Sequence, residues 1–346
     1  MRIRAYKYRI YPTKVQADSI RRNCGCRRFV YNWGLDQKQQ AYLRGEKLSA
    51  FDLMRRLPEL KEKLPWLKTD ANSQSLQTTL RDLDIAFTRF FKKLGGFPAF
   101  KKKHKSKESF HVPQHFKVNP RDNVLTLPKI GNVKTIFDRI PDGKPKSITI
   151  SMSGTGKFFA SVLVEQAIND PEPKPVDPKA TIGIDVGIKT FVVSSDGRTF
   201  DNPKNLRKAM SRVKFLSRQR SKKTKGGKNR ERARLRLAKQ YEKVANQRKD
   251  FLHKVSHQLS DKSQVGTICV EDLNVKGMIK NHKLAGAISD CSWSEFFRML
   301  EYKCKWSGVR LVKIGRFEPS SKLCPCGFKN DALTLADREW TCPRCG

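Results

Sequence analysis

The chain has 346 residues, of which 38% are hydrophobic, enough for two or three domains with ordinary cores and too many for a disordered chain. Its 72 Lys and Arg residues outnumber 33 Asp and Glu, which gives a formal net charge of +39. Such an excess predicts salt-sensitive binding to a polyanion. No apolar run approaches the roughly 20 residues of a membrane-spanning helix, and residues 1–10 lack the apolar core of an export signal. The expected partner is therefore a nucleic acid, with no membrane and no small-molecule substrate.

The first third of the chain is expected to form one strand followed by helices. Aromatic and basic residues alternate over 6–11, which predicts a strand that Pro12 ends. Apolar residues at helical spacing predict a helix after Thr13 and another from Ser73 to Leu94. A basic run then follows a Gly and Pro break, and by itself it is typical of a loop. Its members are candidate nucleic-acid contacts: Lys101, Lys102, Lys103 and Lys105.

Residues 110–164 change to a strand pattern. Short alternating or apolar runs are separated by turn signals such as Asp142-Gly143, which predicts a small β-rich module, interpreted as a barrel that includes the first strand. Four prolines within 170–178 then predict an extended linker and the clearest domain boundary of the chain.

Two short apolar runs after the linker each deliver a carboxylate at or near a strand end. Asp185 follows Ile182-Gly-Ile, and Glu271 follows Ile268-Cys-Val. Either motif alone is explained by a turn or a surface residue. Together, on neighbouring strands, they predict a site of hard oxygen ligands for Mg²⁺ or Mn²⁺, and a phosphodiester is the natural substrate of such a site in so basic a protein.

The segment 204–249 holds nineteen Lys or Arg against two acidic residues, Glu231 and Glu242. Its apolar positions predict two helices, continuing to about residue 255, with a flexible turn at 221–228. A solvated charge run normally mixes signs, so phosphate contact is the better interpretation here. The candidate contacts are Arg207, Lys208, Arg212, Lys222, Lys223, Arg230, Arg234 and Arg248.

The order of elements from residue 180 onward is hairpin, helices, strand, helix and strand. It fits an α/β nuclease core of the ribonuclease H type, in which carboxylates from neighbouring strands hold two divalent ions that activate water and stabilise the leaving oxygen. Asp185 would contact both ions and Glu271 one of them.

Nine cysteines without an export signal indicate reduced thiols and a metal site rather than disulfides. Four of them form two pairs separated by fifteen residues, Cys324 with Cys326 and Cys342 with Cys345, and a glycine follows each pair. This pattern is typical of a four-thiolate zinc ribbon. The first pair is one residue shorter than the usual Cys-x-x-Cys, which is expected to strain tetrahedral closure.

Several motifs resemble those of the TnpB family, the OrfB-type proteins of insertion sequences. They occur in order along nearly the whole chain: Tyr8-Arg-Ile-Tyr-Pro12, Arg28-Phe-Val-Tyr-Asn32, Gly96-Phe-Pro98, Gly183-Ile-Asp-Val-Gly-Ile-Lys189, Glu271-Asp-Leu-Asn274, Ile288-Ser-Asp-Cys-Ser-Trp293 and Pro319-Ser-Ser-Lys-Leu-Cys324. Members of that family are RNA-guided DNA endonucleases similar to compact type V CRISPR effectors.

The resemblance implies a multidomain α/β fold. A wedge-like β-barrel (1–12 and 105–170) would hold a helical recognition module (13–104), and a linker (171–179) would lead to a RuvC-like nuclease domain (180–320, with basic helices at 204–255) and a zinc-ribbon-like segment (321–346). It also implies a guide RNA from the transposon end, a double-stranded DNA target beside a short motif, and a prokaryotic cytoplasmic location at the nucleoid.

In the family, a third catalytic acid follows the second cysteine pair within an Asp-Arg-Asp-x-Asn-Ala-Ala stretch, and the sequence reaches Gly346 before such a stretch. Asp272 and Asp290 are candidate substitutes, but a turn or a helix start explains both. Three readings therefore stay open. They are an RNA-guided nuclease with a truncated sequence, an RNA-guided DNA binder that does not cut, and an unguided basic RNA-binding or architectural protein.

Overall fold

A computed structural model describes residues 1–103, 105–173, 175–260, 265–315, 322–324, 326–333 and 340–346. The chain divides into two compact units, Met1–Asn169 and Asp170–Gly346, and the division falls at the start of the proline-rich segment. The finer division into five segments stays a prediction. None of the described helices is both long and apolar enough to cross a lipid bilayer.

Within its described residues, the first unit contains one seven-stranded sheet in the order β2-β6-β7-β1-β5-β4-β3. The strands are β1 (Arg2–Tyr11), β2 (Ser109–Val112), β3 (Lys117–Asn119), β4 (Val124–Leu127), β5 (Gly131–Ile136), β6 (Lys144–Met152) and β7 (Phe158–Gln166). The first strand pairs antiparallel with both β7 and β5. The sequence expectation that the first strand joins the later β-rich module is therefore confirmed.

The alternation of β1 explains its central place in this sheet. Tyr6, Tyr8 and Ile10 are buried in the core of the sheet, whereas Lys7 and Arg9 lie on the other face against the ring of Phe159. The buried Tyr8 hydroxyl donates a hydrogen bond to the carbonyl of Arg139 at 3.0 Å, so its polar end is satisfied. Burial raises the pKa of Tyr8 to about 12, which keeps it a hydrogen-bond donor.

A helical layer is inserted between β1 and β2. It consists of α1 (Lys14–Leu43), α2 (Ala50–Arg55), α3 (Leu57–Lys63), α4 (Trp66–Asp70) and α5 (Ser73–Phe91). The helix α1 begins after Thr13, as the sequence predicts, and a capping box of Thr13 and Gln16 starts it. At Gly34, an added Cβ would lie 2.8 Å from Cδ2 of Leu80, so glycine permits the close packing of α1 against α5.

The described part of the second unit contains a five-stranded sheet in the order β10-β9-β8-β11-β12. Its strands are β8 (Thr181–Val186), β9 (Thr190–Ser194), β10 (Thr199–Asp201), β11 (Thr267–Glu271) and β12 (Arg310–Ile314). The first three pair antiparallel, and β11 pairs parallel with both β8 and β12. This arrangement confirms the ribonuclease H-like fold that the order of elements predicts.

The helices of the second unit are α6 (Asn205–Ser221), α7 (Lys228–Ser260), α8 (Val275–Met278), α9 (Ala285–Cys291) and α10 (Trp293–Ser307). The C-terminal half of α7 and the apolar face of α10 cover one face of the sheet. Leu252, Phe296 and Leu300 there join Ile184 and Val270 in a single buried cluster. This cluster therefore supports, from one face of the sheet, the two strands that carry the acidic ends.

Replacing Leu252 with Ala should destabilise the second unit, because the side chain is 1% exposed and its removal leaves a cavity beneath the sheet. We expect a loss of about 2–5 kcal/mol in the free energy of unfolding, measured by chemical denaturation. The exposed Lys249 on the same helix supplies the control, since its replacement with Ala should change stability by less than about 0.5 kcal/mol. Equal effects of the two changes would contradict this packing.

Candidate functional site

The two predicted acidic residues lie side by side at the carboxyl ends of neighbouring parallel strands. Ile182 pairs with Ile268 and Ile184 with Val270. Continuing this register by one residue places Asp185 next to Glu271, and neighbouring strands lie about 4.8 Å apart. Two carboxylates this close repel each other unless a cation or other donors share the space between them.

Both carboxylates point away from the buried core. Side chains alternate along a strand, so Ile182 and Ile184 face the helices while Gly183 and Asp185 face the other side. The same alternation in β11 buries Val270 and exposes Glu271. At Gly183 an added Cβ would meet nothing within 4 Å, so the described residues leave open space on this face.

The glycine in Asp185-Val-Gly187 is required by the turn between β8 and β9. Its N–H donates to the carbonyl of Phe191 at 3.2 Å, and an added Cβ would lie 2.7 Å from the carbonyl oxygen of Thr190. The motif is therefore both a turn signal and an acidic strand end, because β8 ends at Val186, one residue after its carboxylate.

Glu271 is followed by a second turn that also ends its strand at the carboxylate. The N–H of Leu273 donates to the carbonyl of Glu271 at 3.1 Å, and Asn274 caps α8 by accepting a hydrogen bond from the N–H of Gly277. The Glu271-Asp-Leu-Asn274 motif therefore combines a strand end with a helix cap.

Asp290 is a buried residue that connects two helices, and it is not an exposed metal ligand. Its side chain is 7% exposed and accepts hydrogen bonds from the backbone N–H groups of Leu206 (3.0 Å) and Arg207 (3.2 Å) at the start of α6. It also forms an ion pair of 3.1 Å with Arg248 of α7. The sequence assigned it to a helix start. Instead it lies in the last turn of α9 and caps a different helix, with its negative charge at the positive end of the α6 dipole.

Most of the predicted nucleic-acid contacts are exposed. In the first unit this holds for the basic loop, and in the second for α6 and the turn before α7. The exposed members are Lys102, Lys103, Lys105, Arg207, Lys208, Arg212, Lys222 and Lys223. Exposure leaves these side chains accessible, and their contact with phosphate stays a prediction.

Four predicted contacts are half-buried with partners inside the protein. Arg230 donates to the carbonyl of Lys223 at 2.7 Å, Arg234 pairs with Glu231 at 2.6 Å, and Arg248 pairs with Asp290. Lys101 lies with its Nζ 3.7 Å from the centre of the Tyr31 ring. Burial, together with the charge of the nearby Arg27, lowers the pKa of Lys101 to about 8. Each of these four side chains therefore already interacts with a partner inside its own unit.

The four paired cysteines come together in the second unit. One sulfur atom from each lies within 4.8 Å of all the others, with Sγ–Sγ distances of 3.4 Å for Cys324–Cys345 and 3.6 Å for Cys326–Cys342. Four thiolates around one zinc at about 2.3 Å would stand about 3.8 Å apart. The short first pair therefore still reaches the arrangement that a four-thiolate metal site needs.

The glycine after each cysteine pair has the backbone conformation that the sequence predicts. Gly327 has φ +84° and Gly346 has φ +82°, values that side chains rarely adopt. The N–H of Gly327 donates to the carbonyl of Cys324 at 2.9 Å, which closes the first turn.

Three family models match successive parts of the chain. They are described as "Helix-turn-helix domain" (residues 1–47), "Probable transposase" of the OrfB type from IS605 elements (161–282) and "Cas12f1-like, TNB domain" (293–346). Residues 1–47 of this chain contain β1 and the single long helix α1, so they do not form two helices joined by a turn. The second match includes both acidic strand ends, and the third includes the cysteine cluster.

Two relatives extend over almost all of the chain. A protein of Streptomyces pristinaespiralis named "Putative RNA-guided DNA endonuclease" is 40% identical over 99% of this chain and 85% of its own length. InsQ of Escherichia coli K12, given the same description, is 30% identical over 99% of this chain and 87% of its own length. The chain belongs to the TnpB family, the OrfB-type proteins of IS605 elements. The resemblance of the sequence motifs to this family is confirmed.

A solved structure shows the same fold at much lower sequence similarity. The Cas12f1 chain in a cryo-EM structure of a Cas12f1–sgRNA–target DNA complex superposes with a TM-score of 0.64 and 15% identity, over 96% of this chain and 80% of that chain. The TnpB-family chain described here therefore shares the Cas12f1 architecture, which confirms the α/β multidomain fold.

The structure also brings together side chains of α6 and α7 that the sequence analysis does not name as nucleic-acid contacts. Arg232 and Arg236 of α7 and Phe215 of α6 line a common cleft with Arg212. Arg232 and Arg236 are four residues apart, which puts them on one face of the helix. This spacing is the feature of the sequence that could have indicated them. The pairing of that face with α6 depends on a helix–helix register that no local pattern specifies.

Replacing Asp290 with Asn should weaken the attachment of α6. The amide loses the negative charge that faces Arg248 and the first N–H groups of the helix. We expect the free energy of unfolding to fall by about 1–3 kcal/mol, measured by denaturation. Asp250→Asn is the control, because Asp250 forms an exposed i,i+4 pair with Lys254 that contributes less than about 0.5 kcal/mol. A neutral effect of Asp290→Asn would show that the cap does not hold the helix.

Proposed function

We propose that this chain is a guide-RNA-directed DNA-binding effector whose second unit cleaves phosphodiesters at Asp185 and Glu271. The observation that carries the proposal is the parallel register that brings the two carboxylates together on an open sheet face. The relatives that match 99% of the chain bear the name of RNA-guided DNA endonucleases, and the family model containing both residues is that of a transposase.

The donor set at this site fits Mg²⁺ or Mn²⁺. Both candidate ligands are carboxylates, both are exposed, and Gly183 leaves room beside them. Mg²⁺ typically takes one or two protein carboxylates and fills its remaining positions with water and substrate phosphate oxygens. An open site with two carboxylates therefore suits Mg²⁺ better than a closed site in which the protein supplies every ligand.

The two carboxylates lie on neighbouring strands: Asp185 on the central strand β8, between β9 and β11, and Glu271 on β11, between β8 and β12. From the resemblance to the family, we infer that Asp185 would hold both divalent ions and Glu271 one. When bound, such ions activate a water and stabilise the leaving oxygen of the scissile phosphodiester. The rigid backbone of two paired strands fixes both carboxylates, which limits the reorganisation that would otherwise slow the reaction.

The cations of both units supply sequence-independent affinity. Exposed Lys and Arg side chains in the basic loop and on α6 bind phosphates, while base pairing with a guide RNA reads the target sequence. The guide is RNA from the transposon end, and the target is double-stranded DNA beside a short motif. The place of action is the prokaryotic nucleoid.

The decisive experiment compares DNA retention and cutting with matched and mismatched guides. Purified protein is loaded with a transposon-end RNA that carries a chosen guide and is offered a library of flanking motifs with Mg²⁺. Guide-matched retention is expected. Retention without cutting would leave guided recognition standing and overturn the nuclease part of the proposal. Retention that ignores the guide would overturn both parts and favour an unguided RNA-binding protein.

Asp185→Ala should abolish cutting while leaving guided retention intact. Loss of groups that merely orient a metal ligand costs 10–100-fold in metal affinity or activity, so removal of the ligand itself should lower the cleavage rate by at least about 100-fold. Glu301→Ala, an exposed acidic residue on α10, is the matched control and should cut normally. Cutting by the Asp185 variant at the native rate would exclude the site.

We also propose that the cysteine cluster binds one structural zinc ion. The sulfur distances support this assignment, because they lie close to those of a tetrahedral four-thiolate site. Cys342→Ser should reduce the zinc content, measured by atomic emission on purified protein, from about one ion per chain to well below one. Cys269→Ser lies outside the cluster and should retain the ion. Equal zinc in both variants would contradict the assignment.

A further inference from the structure

The helices α6 and α7 enclose a cleft, and two of the side chains that line it, Arg212 and Lys223, are among the predicted phosphate contacts. Its volume is about 580 Å³, within the range of small-ligand sites. The side chains that give it chemical character are Arg212, Phe215, Lys223, Asn229, Arg232 and Arg236. A small apolar cluster of Val213, Leu216 and Leu237 joins the two helices beneath it, so both walls are fixed.

The charge of the cleft has one sign. Four cationic side chains line it, and no acidic residue is among the lining residues. Within the described part of the chain, Arg212, Arg232 and Arg236 form no ion pair. The nearby Glu231 instead pairs with Arg234 beside a separate recess at Gly226 and Gly227. Four cations that line one cleft without an acidic residue among them attract a phosphate and repel one another without it.

An exposed aromatic ring lies among these cations. Phe215 is 49% exposed although its neighbours Val213 and Leu216 are buried. The guanidinium of Arg212 lies 5.4 Å from its ring centre. A phenyl ring left open to water beside cations offers a stacking surface for a nucleobase, while the cations serve the adjoining phosphate.

We propose that this cleft binds one unpaired nucleotide of a single-stranded nucleic acid, with the base stacked on Phe215 and its phosphates held by Arg212, Arg232 and Arg236. This proposal depends on the proposed function in one respect, which is that the partner is a nucleic acid. An unpaired base is specified because bases within a duplex already stack on their neighbours and present no free face. A single strand of RNA and a single strand of DNA share this chemistry.

The test measures the affinity of full-length protein for fluorescent single strands of about 12 nucleotides. Oligouridine, oligothymidine and a DNA duplex of the same length are compared. Phe215→Leu keeps apolar volume but removes the ring, and it should weaken single-strand binding roughly 5- to 100-fold. Duplex binding should change less than about twofold. The single strand with the larger loss, RNA or DNA, identifies the source of the nucleotide.

Three further variants separate stacking from charge and from misfolding. Phe215→Trp should restore single-strand affinity, whereas Tyr241→Leu, which removes an equally exposed ring of α7 outside the cleft, should have no effect. Arg232→Gln should reduce the salt dependence of log affinity by about 0.7 per lost phosphate contact. Phe215→Leu should leave that slope unchanged, because the ring has no charge.

A photochemical cross-link gives a second readout. Oligonucleotides containing 5-bromouracil should cross-link to the peptide that contains Phe215. Unchanged single-strand affinity in Phe215→Leu, or equal losses for single strands and duplex, would overturn the proposal. A wild-type protein that shows no guided DNA retention but still loses single-strand affinity on Phe215→Leu would refute the proposed function and retain this site.

Discussion

The parallel pairing of β8 with β11 is the constraint on which the functional interpretation depends. Ile182, Ile184, Ile268 and Val270 all lie in the cluster beneath the sheet, so their burial fixes the register. A slip of one residue would turn Glu271 toward the core and Val270 toward water. The hydrophobic core thus aligns the two carboxylates, although it contacts neither of them. The described residues leave open space beside Gly183 on the face that carries both carboxylates.

The basic helices α6 and α7 must be stabilised against the repulsion between their own cations. Nineteen cations in residues 204–249 repel one another, and the joining core of Val213, Leu216 and Leu237 is small. Asp290 offsets part of this repulsion because one buried carboxylate caps α6 and pairs with Arg248 of α7. Fixing that end of the helices leaves their exposed cations, such as Arg212 and Arg232, accessible to phosphate. The cleft at Phe215 is one consequence of this arrangement.

The features that depend on local sequence pattern could be predicted from the sequence. The strand ends at Asp185 and Glu271, the helices α6 and α7 and the turns at Gly327 and Gly346 all follow from residues close in the chain. Long-range partners could not be predicted. Asp290 caps a helix whose first N–H groups are 83 and 84 residues away, and no local signal marks it. For the same reason, Arg248 was interpreted only as a phosphate contact, and the cleft lined by Phe215 was missed.

The central claim is that Asp185 and Glu271 share one metal site. Its most direct test is a double-mutant cycle on Mn²⁺ affinity, measured by electron paramagnetic resonance of free and bound ion. Asp185→Asn and Glu271→Gln preserve shape and remove charge. The account predicts that each single change removes most of the affinity and that the double variant loses little more, because two ligands of one site act together. Losses of free energy that simply add would show that the two carboxylates act independently, and would contradict the account.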